Sequence, residues 1–373
     1  MIYADNAATT KLDIDAFESM RPYLLELYAN ASQPYSFSRA AKEAIKHSRE
    51  VIATCINSRP EEIYFTSGGT ESDNWAIKGS TSYGDHCALI TSEFEHHAVL
   101  NSCKKIEELG YPVVYLHPTK EGFVMPELLE RFITDKTKLV SIMMVNNEIG
   151  TIQPIKDLCM IAHSHGAFFH TDAVQALGHI TVDVKELDID MLSCSAHKFN
   201  GPKGIGFLYI KSGTPLYSYM DGGGQEASMR AGTENIASIV GMAVALKKNV
   251  DRMADSQKRL KALEKMLLDR LNDASIQYIR NGKEPQVPGN LSLSFPCTNG
   301  ELLLHRLDLL GIMVSTGSAC DSKNTQISHV LQAIEADEQY AVGTIRISLG
   351  YDNQPDEVIR IADALIKILC KTC

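Results

Sequence analysis

At residues 193–204 the chain reads Ser193-Cys194-Ser195-Ala196-His197-Lys198-Phe199-Asn200-Gly201-Pro202-Lys203-Gly204, and shortly before stands Phe169-His170-Thr171-Asp172-Ala173-Val174-Gln175. Asp172 follows the apolar run at residues 167–169, which is typical of a buried strand. Its carboxylate is therefore predicted at the carboxyl end of a strand, where α/β sheets bind their ligands. Gln175 would lie about one helical turn further on, on the same side.

These side chains match the needs of pyridoxal phosphate, whose aldehyde reacts with a lysine amine and whose ring nitrogen keeps its proton beside a carboxylate. Lys198 and Asp172 meet these two needs, and Ser195 with His197 offers donors to the phosphate. A lysine in such a polar stretch is, on its own, more typical of a solvated loop. The prediction of a pyridoxal phosphate site therefore depends on Lys198, Asp172, Ser195 and His197 occurring together.

The composition restricts the class of protein. A chain of 373 residues, 44% of them apolar, is long enough for two packed domains. Its 36 basic and 46 acidic residues give a net charge of −10, which argues against nucleic acid or an anionic membrane as a partner. The nine scattered cysteines predict a reducing, cytoplasmic setting rather than a disulfide scaffold. No stretch approaches the ~20 apolar residues of a membrane span.

Between about residues 50 and 210 short apolar runs alternate with amphipathic segments, which predicts βαβ units and a mainly parallel sheet. The predicted strands are residues 62–65, 87–90, 113–116, 139–145, 167–169 and 206–210. A helix at residues 251–274 is predicted to lead into a second, α+β domain with strands at 290–295 and 344–349 and a helix at 355–369.

Further motifs follow the predicted strands. The glycine-containing turn at residues 65–72 would present backbone N–H groups to an anion, and His96 could stack on a cofactor ring or shuttle protons. Asn147 could donate to a phenolic oxygen, and Thr233 is predicted to cap a helix after a flexible glycine-rich segment. Each motif alone is more typical of an ordinary turn or loop.

The cysteines at two places need separate interpretation. Cys320 lies in the small, polar segment 315–322, which is unlike a core and predicts an accessible thiol. Cys370 and Cys373 form a C-x-x-C pair without a second pair, so no metal site is predicted.

In this order and at these separations, the motifs resemble those of cysteine desulfurases of the NifS/IscS type, within the class V, fold type I pyridoxal phosphate enzymes. The resemblance runs from residues 3–10 to residues 345–348 and so covers nearly the whole chain. It implies an α/β fold type I transferase, with a mainly parallel seven-stranded sheet in a large domain at residues 13–250. Residues 1–12 and 251–373 would form the smaller α+β domain, and the protein would be a homodimer.

The resemblance also implies a role for each matching residue. Lys198 would form the Schiff base, Asp172 would face the ring nitrogen, and His96 would stack over the ring. Gln175 and Asn147 would lie near the ring oxygen, and Arg346 and Asn147 would bind the substrate, because a guanidinium fork suits a carboxylate. The phosphate would be held by Gly69, Thr70, Ser195, His197 and, from the other subunit, Thr233.

The implied reaction converts L-cysteine to L-alanine and leaves the sulfur as a persulfide on Cys320, which would ride a mobile loop. The sulfur would pass to an acceptor protein for iron–sulfur cluster assembly or tRNA thiolation. Two departures predict a difference in substrate, partner or rate. Tyr35 replaces a family histidine and cannot act as an imidazole at neutral pH, and Ala227 stands where arginine is common.

Other functions stay open on the sequence alone. A selenocysteine lyase or C–S lyase of the same fold would eliminate sulfur without the Cys320 thiol. A non-catalytic scaffold for sulfur assembly would not need Lys198, Asp172 and Cys320 together. A class V aminotransferase would have no use for a loop cysteine.

Overall fold

The computed structural model describes residues 1–80, 87–316 and 327–370. The helices are α1 (Ile14–Leu25), α2 (Arg39–Cys55), α3 (Gly69–Gly79), α4 (His97–Glu108), α5 (Pro126–Phe132), α6 (Ile155–Ser164), α7 (Ile236–Asp251), α8 (Met253–Asp273), α9 (Gly300–Asp308), α10 (His329–Ala333), α11 (Glu338–Ala341) and α12 (Pro355–Leu369). The strands are β1 (Ile2–Tyr3), β2 (Ile63–Thr66), β3 (Ala88–Ser92), β4 (Val113–Leu116), β5 (Thr137–Ser141), β6 (Phe168–Asp172), β7 (Met191–Ser195), β8 (Gly206–Ile210), β9 (Ile279–Arg280), β10 (Asn290–Ser294), β11 (Ile312–Met313) and β12 (Thr344–Ser348).

The central sheet has seven strands in the order β2-β8-β7-β6-β5-β3-β4. Only β8 runs antiparallel to its neighbours, β2 and β7, and the remaining pairs are parallel. The predicted α/β fold with a mainly parallel seven-stranded sheet is therefore confirmed. Strand β7 was not among the predicted strands, because its Ser193 and Ser195 are polar although the whole strand is buried. The predicted strand 139–145 was too long, since β5 ends at Ser141.

The two largest hydrophobic clusters belong to different parts of the chain. The larger surrounds the central sheet and includes Ile90, Val140, Phe169 and Phe207. The second packs α8 and α12 against the small sheet β12-β10-β9. Its residues include Ile2 and Ala4 from the N-terminus and Leu263, Leu267, Leu293, Ile347 and Leu365 from the C-terminal part. The domain boundaries after residues 12 and 250 stay a prediction.

The sequence accounts for the helices of the second core. In α8, which confirms the predicted helix, one apolar stripe is buried at Leu260, Leu263, Leu267 and Leu271. Helix α12 begins with Pro355, and Gln354 with Glu357 forms a capping box that satisfies its first N–H groups. In the described part of the chain, no helix combines the length and apolar character that crossing a bilayer requires.

The start of α7 differs from the prediction. Asn235, not Thr233, is the N-cap, and its Oδ1 accepts a hydrogen bond from the Ser238 amide at 3.3 Å. The prediction that Thr233 caps this helix was wrong. Gly232 still has a left-handed φ of 115°, so the chain is turning before the helix begins.

Candidate active site

Loops after five strands meet at one edge of the central sheet. Because β2, β3, β5, β6 and β7 run in the same direction, their carboxyl ends share this edge. A cavity of about 360 Å³ lies there. Its lining includes the predicted residues Gly69, Thr70, His96, Asn147, Asp172, Gln175, Ser195, His197, Lys198 and Arg346. Thr233 is exposed and does not line this cavity, and Cys320 lies outside the described residues.

The lysine amine is held by the N-terminal segment of the chain. Lys198 ends the short 3-10 helix Ala196–Lys198 that follows β7. Its Nζ donates to the carbonyl oxygens of Ala7 at 2.6 Å and Ala8 at 2.9 Å. Gln175 reaches the same segment, since its Nε2 donates to the Ala7 oxygen at 2.9 Å. The amine is therefore oriented inside the cavity.

Asp172 occupies the end of β6, as predicted, and only 5% of it is exposed. Its Oδ1 accepts a hydrogen bond from the Val174 amide at 2.9 Å. Burial raises the pKa of Asp172 to about 6, although the Val174 amide and the Lys198 charge act in the opposite direction. A cationic group from a ligand, such as a protonated ring nitrogen, would favour its ionised form.

Asp73 on α3 is a pocket residue that the sequence analysis missed. It is 1% exposed, and its Oδ1 has no hydrogen-bond partner among the described residues. One ligating atom each of Asp73, Asp172 and His96 lies within 4.8 Å of the others. Burial and the nearby Asp172 raise the pKa of Asp73 well above its usual range. Its position one helical turn after Thr70 was the available signal.

One part of the cavity lining suits a phosphate. Gly68, with a φ of 150°, turns the chain from β2 into α3. A Cβ on Gly69 would lie only 2.6 Å from Val174 Cγ2, so the close approach at this helix N-terminus requires glycine. The open N–H groups of the first helical turn attract anions. Thr70 and Ser195 add hydroxyl donors to this end of the cavity.

Two of the histidines that line the cavity, His96 and His197, have lowered pKa values and are neutral near pH 7. Burial lowers the pKa of His197 to about 4, and its Nδ1 lies 3.0 Å from Thr9 Oγ1. His96 caps α4, and its Nδ1 accepts from the Ala98 amide at 3.1 Å. Burial, followed by the Lys198 charge, lowers the pKa of His96 to about 4. A neutral imidazole can stack on an aromatic ring without the cost of burying a charge.

Arg346 lies in the middle of β12 and is 3% exposed. Its Nη1 donates to the Asn147 carbonyl oxygen at 2.9 Å, and its Nη2 donates to Asp5 Oδ1 at 2.8 Å. The guanidinium is thus fixed at the cavity wall. The sequence analysis gave no role to Asp5, which contacts Arg346, or to Glu148 and His329, which line the cavity.

The two departures from the family pattern lie away from the cavity lining. Tyr35 is 50% exposed and precedes the 3-10 helix Ser36–Ser38. Ala227 has a left-handed φ of 54°, between Glu226 and Ser228 with φ values of 46° and 64°. Their effect on substrate or partner stays a prediction.

The residues at the cavity fit pyridoxal phosphate. A lysine amine, a buried carboxylate and a helix N-terminus with hydroxyl donors surround one space, which matches the aldehyde, ring nitrogen and phosphate. Asp73 Oδ1, which accepts no hydrogen bond among the described residues, lies within 4.8 Å of a ligating atom of Asp172. Asp73, His96 and Asp172 also have side chains of the types that bind metal ions. They lie, however, where the ring nitrogen of the cofactor is expected.

Comparisons with known proteins agree with this arrangement. The family model described as aminotransferase class-V matches residues 2–361. The chain is 44% identical to the cysteine desulfurase IscS of Dictyoglomus turgidum, over 99% of this chain and 95% of the relative. A solved NifS-like protein is similar with a TM-score of 0.93 and 36% identity over 99% of both chains. A structure of SspA in complex with cysteine is similar with a TM-score of 0.83 and 36% identity, over 94% of this chain and 99% of the other.

Proposed function

The chain belongs to the class-V aminotransferase family and, within it, to the cysteine desulfurases of the IscS and NifS type, and we propose that it uses pyridoxal phosphate to convert L-cysteine to L-alanine. The sulfur moves to Cys320 as a persulfide. One observation carries the proposal: Lys198, Asp172 and Arg346 face a single cavity at the edge of the central sheet.

When bound, pyridoxal phosphate acts as an electron sink for the bonds at Cα of an amino acid. In our proposal Lys198 holds the cofactor aldehyde, and Asp172 keeps the proton on the ring nitrogen. The first turn of α3 and the hydroxyls of Thr70 and Ser195 bind the phosphate, with His197 beside them. Thr233 of a second copy would complete the phosphate site in a homodimer.

Arg346 and Asn147 are proposed to select the substrate. The planar guanidinium binds the α-carboxylate, and Asp5 holds it in place with the 2.8 Å ion pair. Asn147 lies next to this arginine through its carbonyl oxygen. Fixing the carboxylate sets the position of the substrate Cβ and sulfur relative to the cofactor site.

Cys320 is proposed as the sulfur acceptor from its position in the family motif. Its thiolate attacks the substrate sulfur, the C–S bond breaks, and the product leaves as alanine after protonation. The persulfide then passes to an acceptor protein for iron–sulfur cluster assembly or tRNA thiolation. The seven described cysteines are free thiols, which supports a reducing cytoplasmic location.

The test compares alanine release from L-cysteine by the wild-type holoenzyme, Cys320→Ala and Cys297→Ala. Cys297 is an exposed thiol and serves as the matched control. We expect Cys320→Ala to lose at least about hundredfold in rate, since removing a nucleophile removes the covalent path, while Cys297→Ala keeps the wild-type rate. The wild type should carry a persulfide on Cys320, seen by mass spectrometry.

Other results would identify a different function. Alanine release that survives Cys320→Ala with selenocysteine or cysteine indicates a lyase that does not need the thiol. Pyruvate and ammonia as products indicate C–S elimination. A wild-type protein that binds the cofactor and processes neither substrate indicates a non-catalytic assembly scaffold.

A further inference from the structure

A second cavity, of about 250 Å³, adjoins the candidate active site and has no role in the function proposed above. Ala7 and Gln175 line both cavities, and the other lining residues differ. The Ala7 carbonyl oxygen accepts hydrogen bonds from Lys198 Nζ at 2.6 Å and from Gln175 Nε2 at 2.9 Å. The two cavities therefore share the segment that holds the lysine amine.

Parts of the chain that are far apart in sequence form the walls of this second cavity. They are the N-terminal segment, α8, the turn before β10 and the turn after β12. The lining includes the apolar residues Leu260, Val287 and Leu349. Pockets for drug-sized molecules measure ~300–1,000 Å³, so this smaller space suits a small metabolite with an apolar part.

Arg252 brings a positive charge to the lining of the second cavity. Its Cζ lies 4.4 Å from the centroid of the Tyr351 ring, and its Nη2 donates to Asn249 Oδ1 at 3.0 Å. Asn249 is itself fixed, since its Nδ2 donates to the carbonyl oxygens of Phe199 and Ala245 at 2.8 Å each. Among the described residues, Arg252 forms no ion pair with a carboxylate, and its Nε has no hydrogen-bond partner. A guanidinium that is held in place without a counter-ion is a good receptor for a carboxylate.

The second cavity also offers oxygen acceptors to a cationic group. Asn290 lines it and is 5% exposed, and its Oδ1 has no hydrogen-bond partner in the described part of the chain. Asp352 lines the cavity as well and is exposed. A buried acceptor without a donor costs free energy, which a bound donor would recover. An ammonium group is a donor that suits either oxygen.

We propose that the second cavity binds a free amino acid with a small apolar side chain. The α-carboxylate pairs with Arg252, the ammonium group donates to Asn290 or Asp352, and the side chain contacts the apolar walls. A zwitterion fits because a simple anion would leave the acceptors unpaired, and a simple cation would face the guanidinium. Since Ala7 lines both cavities, the bound amino acid lies against the segment that holds Lys198. The site does not depend on sulfur transfer and therefore goes beyond the function proposed above.

The experiment counts the molecules of L-alanine that the holoenzyme binds. Equilibrium dialysis detects every bound molecule, whereas the absorbance of the cofactor detects only those that reach the active site. We expect dialysis to count one molecule per chain more than absorbance does. Equal counts by the two methods would overturn the proposal.

Arg252→Met tests the carboxylate receptor. The additional site should bind L-alanine at least about tenfold more weakly, because a charge-assisted pair is lost, while cofactor content and the absorbance response stay at the wild-type values. Arg270→Met is the matched control. Arg252 directly precedes α8, and Arg270 lies in its last turn, pairs with Asp363 at 2.7 Å and does not line the cavity. An equal loss in both variants, or no loss in Arg252→Met, would contradict the proposal.

Ser256→Phe tests the cavity without changing Arg252. Ser256 lines the cavity from α8, and a phenyl ring at this position would occupy part of the space. The variant should lose the additional site and keep the absorbance response to L-alanine. If Arg252→Met does not fold, this variant decides: an additional site of unchanged affinity would refute the assignment of the cavity.

Two analogues of L-alanine test the chemical class of the ligand. Propionate lacks the ammonium group, and L-alaninamide lacks the carboxylate. The additional site should bind propionate about tenfold more weakly than L-alanine, and L-alaninamide should show no additional binding. Propionate that binds as tightly as L-alanine would show that the acceptors take no part, and the assignment of an amino acid would be wrong.

Discussion

Three buried carboxyl groups near the cavity differ from those that hold the loop at residues 221–235, because among the described residues only the latter form ion pairs with arginines. Asp73, Asp172 and Glu95 are buried, and in the described part of the chain no lysine or arginine forms an ion pair with them. Burial raises the pKa of Asp172 to about 6 and that of Glu95 to about 8. Since no lysine or arginine of the described chain forms an ion pair with these groups, a cationic ligand would stabilise their ionised forms.

Two largely buried carboxylates, those of Glu226 and Glu71, are paired with arginines at the loop. Arg49 donates to both oxygens of Glu226, at 2.9 Å and 2.8 Å, and Glu226 also accepts from the Phe65 amide. Arg230 donates to both oxygens of Glu71, at 2.7 Å and 3.1 Å. Burial alone would raise the pKa of Glu71, but the hydrogen bonds from Arg230 and Ser67 lower it overall.

The comparison separates structural charges from functional ones. Paired carboxylates fix the loop that carries Thr233, including its left-handed residues Glu226 and Ala227. Unpaired buried carboxyls cost stability, and a protein retains such groups where a ligand provides the missing partner. Substitutions of the carboxyl groups near the cavity should therefore change ligand binding. Substitutions in the ion pairs at the loop should change the stability of the fold.

The largest expected effect is on cofactor binding. Asp172→Asn removes the negative charge that stabilises a protonated ring nitrogen, so the affinity for pyridoxal phosphate should fall by about hundredfold. The dissociation constant can be measured on the cofactor-free protein from the quenching of Trp75 fluorescence or by equilibrium dialysis.

Asp135→Asn is the matched control, because Asp135 is exposed and lies away from the cavity. It should bind the cofactor as the wild type does. An affinity of Asp172→Asn equal to that of the wild type would mean that cofactor binding does not depend on this carboxylate. The carboxyl groups near the cavity would then have no demonstrated role in ligand binding.

The sequence predicted the residues of the cavity lining well where they lie at or within a few residues of the carboxyl end of a parallel strand. Asp172, Asn147 and His96 could be placed because strand ends share one edge of an α/β sheet. Strand β7 was missed because Ser193 and Ser195 interrupt the apolar pattern that indicates a buried strand.

Contacts between distant parts of the chain could not be predicted. Asp5 and Arg346 are 341 residues apart, and Glu148 and Ser328 are 180 apart. No local periodicity records such pairs, since they depend on how the two cores pack together. The N-cap of α7 was misplaced for a local reason, because Thr233 and Asn235 are both good capping residues and only the backbone turn at Gly232 decides between them.

The second effect concerns the paired region. Arg49→Met leaves Glu226 buried without its cation, so the free energy of unfolding should fall by about 2 kcal/mol and the thermal midpoint should drop. The double variant Arg49→Met with Glu226→Gln should recover most of the loss, because no unpaired charge remains. Arg270→Met is the control: its pair with Asp363 is half exposed and should not change the midpoint. A similar drop in both arginine variants would show that burial of the pair is irrelevant.

The smallest effect is a pH dependence with opposite signs in the two regions. In the folded protein the pKa of Glu95 is about 8, above its ordinary value of 4.5, so the folded state binds this proton more readily than the unfolded chain. Between these pH values the contribution of Glu95 to stability therefore falls as pH rises. Glu95→Gln cannot ionise, so its thermal midpoint should gain on that of the wild type as pH increases from about 5 to 8.

Glu71 should show the reverse, because its pairing with Arg230 lowers its folded pKa below the ordinary 4.5. Its contribution to stability is present above pH 4.5 and is lost as pH falls through the folded pKa. Glu71→Gln should thus be less stable than the wild type at neutral pH, and the difference should shrink in acid. If the midpoints of Glu95→Gln and Glu71→Gln changed with pH in the same direction, the cavity carboxyl would be ionised and paired like those of the loop. The carboxyl groups near the cavity would then already be stabilised by the fold. There would be no reason to infer that they pair with a cationic ligand.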